Sequence, residues 1–272
     1  MPWMAPSHPA PVLALKLWKP TLFSGLALCL GAAAPDLEFV LLIQQDSSLS
    51  HTIAGQFLFT LPVVLVLHTL LTTVVRPWAV PLLTFGAPWP FEDLARLRPA
   101  ASADDWGRVG TSALIGGLSH VFLDGFTHAA DHTGWAAAVF PALATPLPGL
   151  GRVPVHDVLQ IALTLVLGAL GLHQVARIGR ERLLATWYPD RESATREATP
   201  YERRGAAAYL LGCASLGALV VIARAHARWE WIELGAFGVV AFVFYGLLLA
   251  AIADRLRAPR GRALPLGAET ES

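Results

Sequence analysis

Long runs of apolar residues are the feature that most restricts what this chain can fold into. Residues 53–75 and 155–176 each form a run long enough to cross a hydrocarbon layer of roughly 30 Å as a helix. The whole chain of 272 residues is 54% hydrophobic and only 15% charged, which is too apolar for a typical soluble domain. The sequence therefore predicts helices whose solvent is the lipid bilayer.

Six such runs predict an all-α, polytopic integral membrane protein with about six transmembrane helices and short re-entrant or interfacial helices. Proline at position 35 is expected to break the first run, because proline disfavours helix at the residue before it. Residues 76–108 read as a Pro-rich loop, and residues 135–143 as a short re-entrant piece. We expect one helical domain over residues 1–254 that closes with a hairpin at 205–253, and a disordered polar tail at 255–272. The predicted spans are 21–43, 53–75, 109–126, 155–176, 205–225 and 231–253.

The distribution of Lys and Arg predicts the orientation in the membrane. The N-terminal segment, residues 76–108, residues 177–204 and the tail hold nearly all of them, whereas residues 44–51 and 127–155 hold almost none. By the positive-inside rule, both termini are expected in the cytoplasm, with the protein in a plasma (inner) membrane. The formal net charge of +0 gives no support for nucleic-acid binding, so the expected partner is the bilayer.

A polar stripe lies at the end of the third predicted span. His120, Asp124 and His128 are four residues apart, so in a helix all three fall on one face. Ionisable groups in an apolar segment are costly unless they are paired, hydrated or bound to a metal. Imidazole and carboxylate are common zinc ligands. The stripe therefore indicates either a divalent metal site or a His–Asp hydrogen-bond network that fixes helix packing.

The predicted topology brings further polar residues to the same membrane face. Asp36 and Glu38 lie near the outer end of the first span, and His51 opens the second. Convergence of separate segments carrying metal-ligand side chains favours a metal or catalytic site over a packing network. Three further polar residues begin the next span at this face, where they are predicted to orient a ligand imidazole; they are His156, Asp157 and Gln160.

A set of short motifs resembles a known bacterial membrane-protein family, the domain of unknown function 4184, over roughly residues 1–180. The family offers no established activity to carry over. The motifs, in order, are Ser7-His8-Pro9-Ala10, Ala34-Pro35-Asp36-Leu37, Ser50-His51-Thr52, Gly117-Leu118-Ser119-His120 with Asp124, Phe126-Thr127-His128 with Gly134-Trp135, and Leu159-Gln160 with Gly171-Leu172.

More distantly, the pattern is similar to predicted membrane-bound metal-dependent hydrolases, and faintly to zinc-dependent phospholipases C. That resemblance implies metal ligands at His8, Asp36, His51, His120 and Asp124. The chain departs from the hydrolase pattern after Pro35-Asp36, where Leu37-Glu38-Phe39 stands in place of a second acidic residue and a His-Arg pair.

These observations lead to two functional hypotheses. In the first, the chain is an enzyme in which the named ligands, with help from His128, bind one or more divalent metals such as zinc, and Glu38 or an unliganded Asp acts as general base. Its substrate would be an ester or phosphoester of lipid type at the outer face. In the second, the same residues serve a membrane scaffold or a small-solute or ion transporter.

His8 is a test of the first hypothesis. A cytoplasmic N-terminus would place it opposite the other candidates, and residues 8–19 form a helix of at most about 18 Å, too short to span. His8 can therefore join the cluster only if residues 1–35 form a re-entrant hairpin or a pair of short tilted helices. The alternative is an interfacial His8 unrelated to metal.

Overall fold

The computed structural model describes residues 7–42, 49–84, 89–130, 133–149, 151–191, 197–224 and 228–257, with backbone alone at 39–42, 221–224 and 228–238. Within these ranges the chain is helical and contains no named strand, which agrees with the predicted all-α class. Part of the expected polar tail, residues 258–272, lies outside the described residues. The α-helices are α1 (Pro9–Trp18), α2 (Gly25–Leu42), α3 (Ile53–Gly55), α4 (Leu61–Leu70), α5 (Arg76–Leu83), α6 (Ala103–Thr127), α7 (Trp135–Val139), α8 (Val155–Arg180), α9 (Leu183–Trp187), α10 (Pro200–Arg224) and α11 (Arg228–Arg257).

Helices α3, α4 and α5 form one continuous helix, Ile53–Leu83, of 31 residues. Two π-helical turns join them, Gln56–Thr60 and Leu71–Val75. The prediction of a loop from position 76 was therefore wrong for its first part, since the helix continues to Leu83. Pro77, the second residue of α5, directly follows the second π-helical turn, where the regular α-helical hydrogen bonding is already interrupted.

Three described helices are long and apolar enough to cross a membrane, namely Ile53–Leu83, Val155–Arg180 and Val239–Arg257. Large apolar side chains on the first two point outward, as at Leu58 (70% exposed) and Leu165 (67% exposed). Outward-facing leucines are expected where the surrounding solvent is lipid. By length and composition, the described part of the structure thus supports a helical membrane protein with three candidate spans. The predicted six transmembrane helices are not confirmed.

Helix α2 is not broken at Pro35, contrary to the expectation from sequence. Its α-helical hydrogen bonding runs from Gly25 to Leu42 with the proline inside. Proline removes one backbone N–H and so leaves a carbonyl one turn earlier without its usual partner. Two neighbouring carbonyls accept side-chain hydrogen bonds with a second lone pair: Ala32 from His120, and Pro35 from Ser50.

Close packing of α2 against α6 determines where the polar residues meet. A Cβ atom on Gly31 would lie 2.2 Å from the carbonyl oxygen of Ala113, and one on Gly116 would lie 2.4 Å from that of Leu28. Small residues at such a crossing let two helix backbones approach directly. The crossing brings the last turns of α6 alongside residues 32–38 of α2.

Candidate metal centre

A buried cluster forms where four segments of the chain meet. His8 precedes α1, Asp36 belongs to α2, His51 lies in the turn before α3, and His120 and Asp124 lie one turn apart on α6. His8, His120 and Asp124 are at most 2% exposed, whereas the Asp36 side chain is 23% exposed. The structure thus brings the five predicted ligands together, and Asp36 is the most accessible of them.

Hydrogen bonds fix the tautomer of the two central imidazoles. Nδ1 of His120 lies 2.8 Å from the carbonyl oxygen of Ala32, which can only accept, so Nδ1–H donates. The Ser50 hydroxyl donates to the carbonyl of Pro35 at 3.0 Å and therefore accepts from Nδ1–H of His51, also at 3.0 Å. In the neutral form of both rings, each Nε2 carries a lone pair.

These two lone pairs face each other and two carboxylates. The Nε2 atoms of His51 and His120 are 3.2 Å apart, and Oδ2 of Asp124 lies 3.4 Å and 3.2 Å from them, respectively. Oδ1 of Asp36 lies 3.8 Å from the first and 3.6 Å from the second. Ligand atoms about 2.0–2.1 Å from a tetrahedral ion are about 3.3 Å apart. The ligand atoms of Asp36, His51 and His120 lie within 4.8 Å of one another, as do those of His8, His120 and Asp124, so either group of three could hold a small cation.

Unsatisfied polar atoms give independent support for a cation at this place. Among the described residues, both ring nitrogens of His8, Oδ1 of Asp36 and Oδ1 of Asp124 are buried without a hydrogen-bond partner. Buried polar atoms are almost always paired, since leaving one unpaired costs about 1–3 kcal/mol. Within the part of the chain that the structure describes, the ion pairs of Asp36 and Asp124 are with histidines and not with Lys or Arg. The donor set of imidazole nitrogens and carboxylate oxygens is one that zinc-like ions accept.

The two oxygens of Asp124 face different partners. Oδ2 faces His51 and His120, whereas Oδ1 lies 3.5 Å from Nε2 of His8 and 3.8 Å from Nδ1 of His128. The ring of His8 also stacks on His120 with centroids 3.9 Å apart. His8 is thus inside the cluster, as the hairpin alternative requires. His128 lies just after the end of α6, and its Nδ1 is 3.3 Å from the carbonyl of Asp124, so it also caps the helix.

Glu38 is buried next to the cluster and holds the turn that carries His51. Its Oε2 accepts a hydrogen bond of 3.0 Å from the backbone N–H of Ser50, and its side chain is 5% exposed. The structure therefore gives Glu38 an orienting contact through Ser50. Its predicted part as a general base stays a prediction, as does the catalytic part of Asp124.

The three residues expected to orient a ligand lie at the start of α8. His156 and Asp157 are paired with each other at 3.1 Å. Gln160 lies one turn before Thr164, whose carbonyl accepts a hydrogen bond of 3.1 Å from the Ser7 hydroxyl, next to His8. Helix α8 therefore reaches the neighbourhood of the cluster through Ser7, and the orienting role stays a prediction.

Sequence reasoning missed three groups that orient the cluster: the Ser50 hydroxyl and the backbone carbonyls of Ala32 and Pro35. The Ser50-His51 pair was visible as a motif, and a hydroxyl beside a candidate ligand could have indicated an orienting partner. The carbonyls carry no signal in the sequence, because any residue supplies one. Which of them faces the cluster depends on how α2 packs against α6 and against the turn at Ser50.

Fold and site together define a helical membrane protein with a buried His and Asp cluster at one end of its central helix pair. A family model described as Domain of unknown function (DUF4184) matches residues 1–252, so the chain belongs to that family. The match includes the C-terminal hairpin and extends well beyond the 1–180 range of the motif resemblance. No curated protein and no solved structure matches the chain. The more distant resemblance to metal-dependent hydrolases is not supported by these comparisons.

Proposed function

We propose that the protein is a membrane-embedded, metal-dependent hydrolase of an ester or phosphoester bond in a lipid-type substrate. The observation that carries the proposal is the pair of imidazole lone pairs, on His51 and His120, that face each other at 3.2 Å between two carboxylates. Without a cation or a shared proton, these four atoms would repel one another, because they are largely buried. A divalent ion, zinc by its preference for this donor set, relieves the repulsion.

In this proposal, Asp36, His51 and His120 hold one ion beside Asp124, and His8 and His128 face the remaining oxygen of Asp124. Such an ion supplies Lewis-acid polarisation of the scissile bond and a lowered pKa for a coordinated water. The chain itself supplies the orientation. Ala32 and Ser50 fix which nitrogen of each imidazole faces the site, and Glu38 fixes Ser50.

The proposed orientation places the cluster toward the outer face of a bacterial inner membrane, with the Arg-rich segments 76–108 and 177–204 in the cytoplasm. The partly exposed side chains of Asp36 and His128 mark the side from which a substrate enters. Lipid is the nearest source of esters, because the neighbouring helices expose apolar side chains. His8 directly precedes α1 and contacts Asp124 in the cluster, which this proposal puts toward the outer face. The proposal therefore does not include a cytoplasmic N-terminus.

The test is metal analysis of the purified full-length chain. We expect at least one equivalent of zinc or a similar ion in the wild type and none in the double variant His120→Ala/Asp124→Ala. His68→Ala is the matched control, since His68 is 4% exposed on α4 and outside the cluster. Equal metal content in the double variant and the wild type would remove the proposal.

Activity is tested separately, with chromogenic or fluorogenic ester and phosphodiester lipid analogues in detergent micelles. Chelation with EDTA should abolish hydrolysis, and zinc should restore it. If the metal-loaded protein cleaves neither class of bond, the proposed metal site stands and the proposed hydrolase activity is refuted.

The second hypothesis, a scaffold or transporter, is supported by one feature of the same contact. If one imidazole of the His51 and His120 pair is protonated, the contact of 3.2 Å becomes an N–H···N hydrogen bond that locks two segments together. A protein that never binds metal and that unfolds at a clearly lower temperature in the His120→Ala variant would favour this scaffold function.

A further inference from the structure

A cavity of about 280 Å³ lies at the opposite end of α6 from the metal cluster. Arg108, which lines the cavity, and Asp124 are 16 positions apart, which corresponds to about 24 Å along a helix at 1.5 Å per residue. Its walls come from α1, the start of α2, α4, the segments around residues 98 and 188, and the first turns of α6. The volume is just below the usual range for small-molecule sites, about 300–1,000 Å³.

The cavity is lined by four cations and one anion. The cations are Lys16, Arg98, Arg108 and Arg191, and the anion is Asp105. Asp105 lies 3.6 Å from Arg108 and also accepts a hydrogen bond of 3.3 Å from the backbone N–H of Ala101. Three positive charges are therefore left without a carboxylate among the described residues, which is an excess that a bound anion would neutralise.

Lys16 is the most unusual member, because its side chain is 2% exposed and has no carboxylate partner among the described residues. Its ammonium donates to the carbonyls of Pro20 and Phe23 and to the Tyr188 hydroxyl, and it lies 4.9 Å from the ring centroid of Trp187. These dipoles hold a positive charge in place without cancelling it. A buried ammonium without a counter-ion is costly in free energy. A negatively charged ligand would remove part of this cost and would therefore bind favourably.

Backbone dipoles point the same way. Helix α2 begins at Gly25, and Phe23, Ser24 and Leu26 line the cavity. The N-terminal end of a helix carries a partial positive charge that favours oxyanions. The cavity thus combines guanidinium groups, a fixed ammonium and a helix N-terminus, which are the usual elements of phosphate recognition.

We propose that this cavity binds a phosphate-type oxyanion, either free inorganic phosphate or the phosphate of an anionic lipid headgroup. Arg98 and Arg108 are exposed, the second of them paired with Asp105 at 3.6 Å, and Lys16 is buried in the wall of the cavity. In the orientation proposed above, the cavity faces the cytoplasm, where anionic headgroups and free phosphate are both present. The anion site stands whether or not the metal cluster is catalytic, since no residue is shared between the two.

The test uses the full chain reconstituted in phosphatidylcholine nanodiscs. In the first arm, inorganic phosphate is titrated calorimetrically. In the second arm, the phosphatidylcholine nanodiscs also contain phosphatidylglycerol, and the lipid that co-purifies with the protein is measured by native mass spectrometry. The double variant Arg98→Gln/Arg108→Gln should lose at least about tenfold in affinity, the factor of one lost charge-assisted hydrogen bond. Arg180→Gln is the matched control, an exposed arginine on α8 outside the cavity.

Saturable phosphate binding that the double variant weakens and the control retains identifies a free-phosphate site. Retained phosphatidylglycerol that the double variant loses identifies a lipid site. Asp105→Asn should strengthen either interaction, because it removes the one carboxylate from the cavity and keeps a side-chain oxygen for the N–H of Ala101. Absence of both ligands from the wild type, or equal loss in the control, would overturn the proposal.

Discussion

Two buried carboxylates in this protein have opposite surroundings. Asp93 is 1% exposed and lies between two guanidiniums, 3.2 Å from Arg96 and 3.0 Å from Arg182. Asp124 is 2% exposed, its ion-pair partners among the described residues are all imidazoles, and its Oδ1 has no hydrogen-bond partner there. A carboxylate with a permanent cation at each side is complete as it stands. A carboxylate among imidazole lone pairs lacks a positive charge, and this difference separates a structural ion pair from a ligand site.

The largest expected effect is on metal content after Asp124→Asn. The substitution keeps the shape of the side chain and removes the charge that faces both imidazoles. We expect metal affinity to fall by more than about 100-fold, beyond the 10–100-fold typical of outer-shell changes. The measurement is inductively coupled plasma mass spectrometry after dialysis at fixed zinc. In EDTA, the variant should unfold no earlier than the wild type; earlier unfolding there would mean that Asp124 acts as a structural anion like Asp93.

The matched substitution, Asp93→Asn, should leave metal content unchanged and lower stability. It removes the buried negative charge from Arg96 and Arg182, and we expect a loss of about 2–3 kcal/mol. This is below the roughly 3–5 kcal/mol typical of a broken buried ion pair, because the Arg182 side chain is 52% exposed. Thermal unfolding in detergent gives the measurement. An unchanged unfolding temperature would contradict the structural assignment of this carboxylate.

A smaller effect is expected from Ser50→Ala. The hydroxyl holds Nδ1 of His51 in the protonated form, so its loss lets the ring adopt the other tautomer. Metal affinity should fall by about tenfold, with the protein still folded. Ser112→Ala is the control, since Ser112 is equally buried and its hydroxyl accepts from the N–H of Ser24 at the other end of α6. Equal effects of the two substitutions on metal affinity would show that Ser50 acts through general stability alone.

The smallest expected effect is the pH dependence of anion binding near Lys16. Lys16 is a buried cation without a carboxylate partner among the described residues, just as Asp124 is a buried anion without a Lys or Arg partner there. Burial lowers the pKa of Lys16 to about 8, with a smaller contribution from Arg108. The ammonium is therefore protonated below about pH 8 and loses its charge above it. Sulfate, which does not titrate in this range, should bind a few-fold more weakly at pH 9 than at pH 7, as measured by calorimetry.

The other groups that face Lys16 do not reproduce this dependence. Guanidiniums remain charged throughout, and burial raises the pKa of Tyr188, so this phenol stays neutral. The remaining imidazole of the cavity is His68, on α4, and His68→Gln should keep the pH dependence while Lys16→Met removes it. A dependence that follows His68 instead would assign the titration to the histidine. The charged groups that face the cavity are Arg98, Asp105, Arg108 and Arg191.

Much of the candidate site could be predicted from the sequence, because helical spacing alone places His120 and Asp124 on one face. Asp36 and His51 could be added because topology brings span ends to one side of a membrane. The contact of His8 with Asp124 could only be posed as an alternative, since it requires the return of α1 along α2. The role of Ser50 could not be predicted, because the hydroxyl acts only after Pro35 and His51, which are 16 positions apart, have been brought together.

The sequence by itself indicated that the helices of this protein lie in lipid, and it indicated which types of side chain form its candidate site. Apolar runs of membrane length require helices, and imidazoles and carboxylates within them require a partner. Only the tertiary structure decided which atoms of these residues face one another, since that depends on the depth to which helices approach. The approach of α2 to α6 depends on Gly31 and Gly116, where any larger side chain would meet the facing backbone. The periodicity of the sequence shows which residues share one face of a helix. Packing between segments then determines that the Nε2 atoms of His51 and His120 lie 3.2 Å apart.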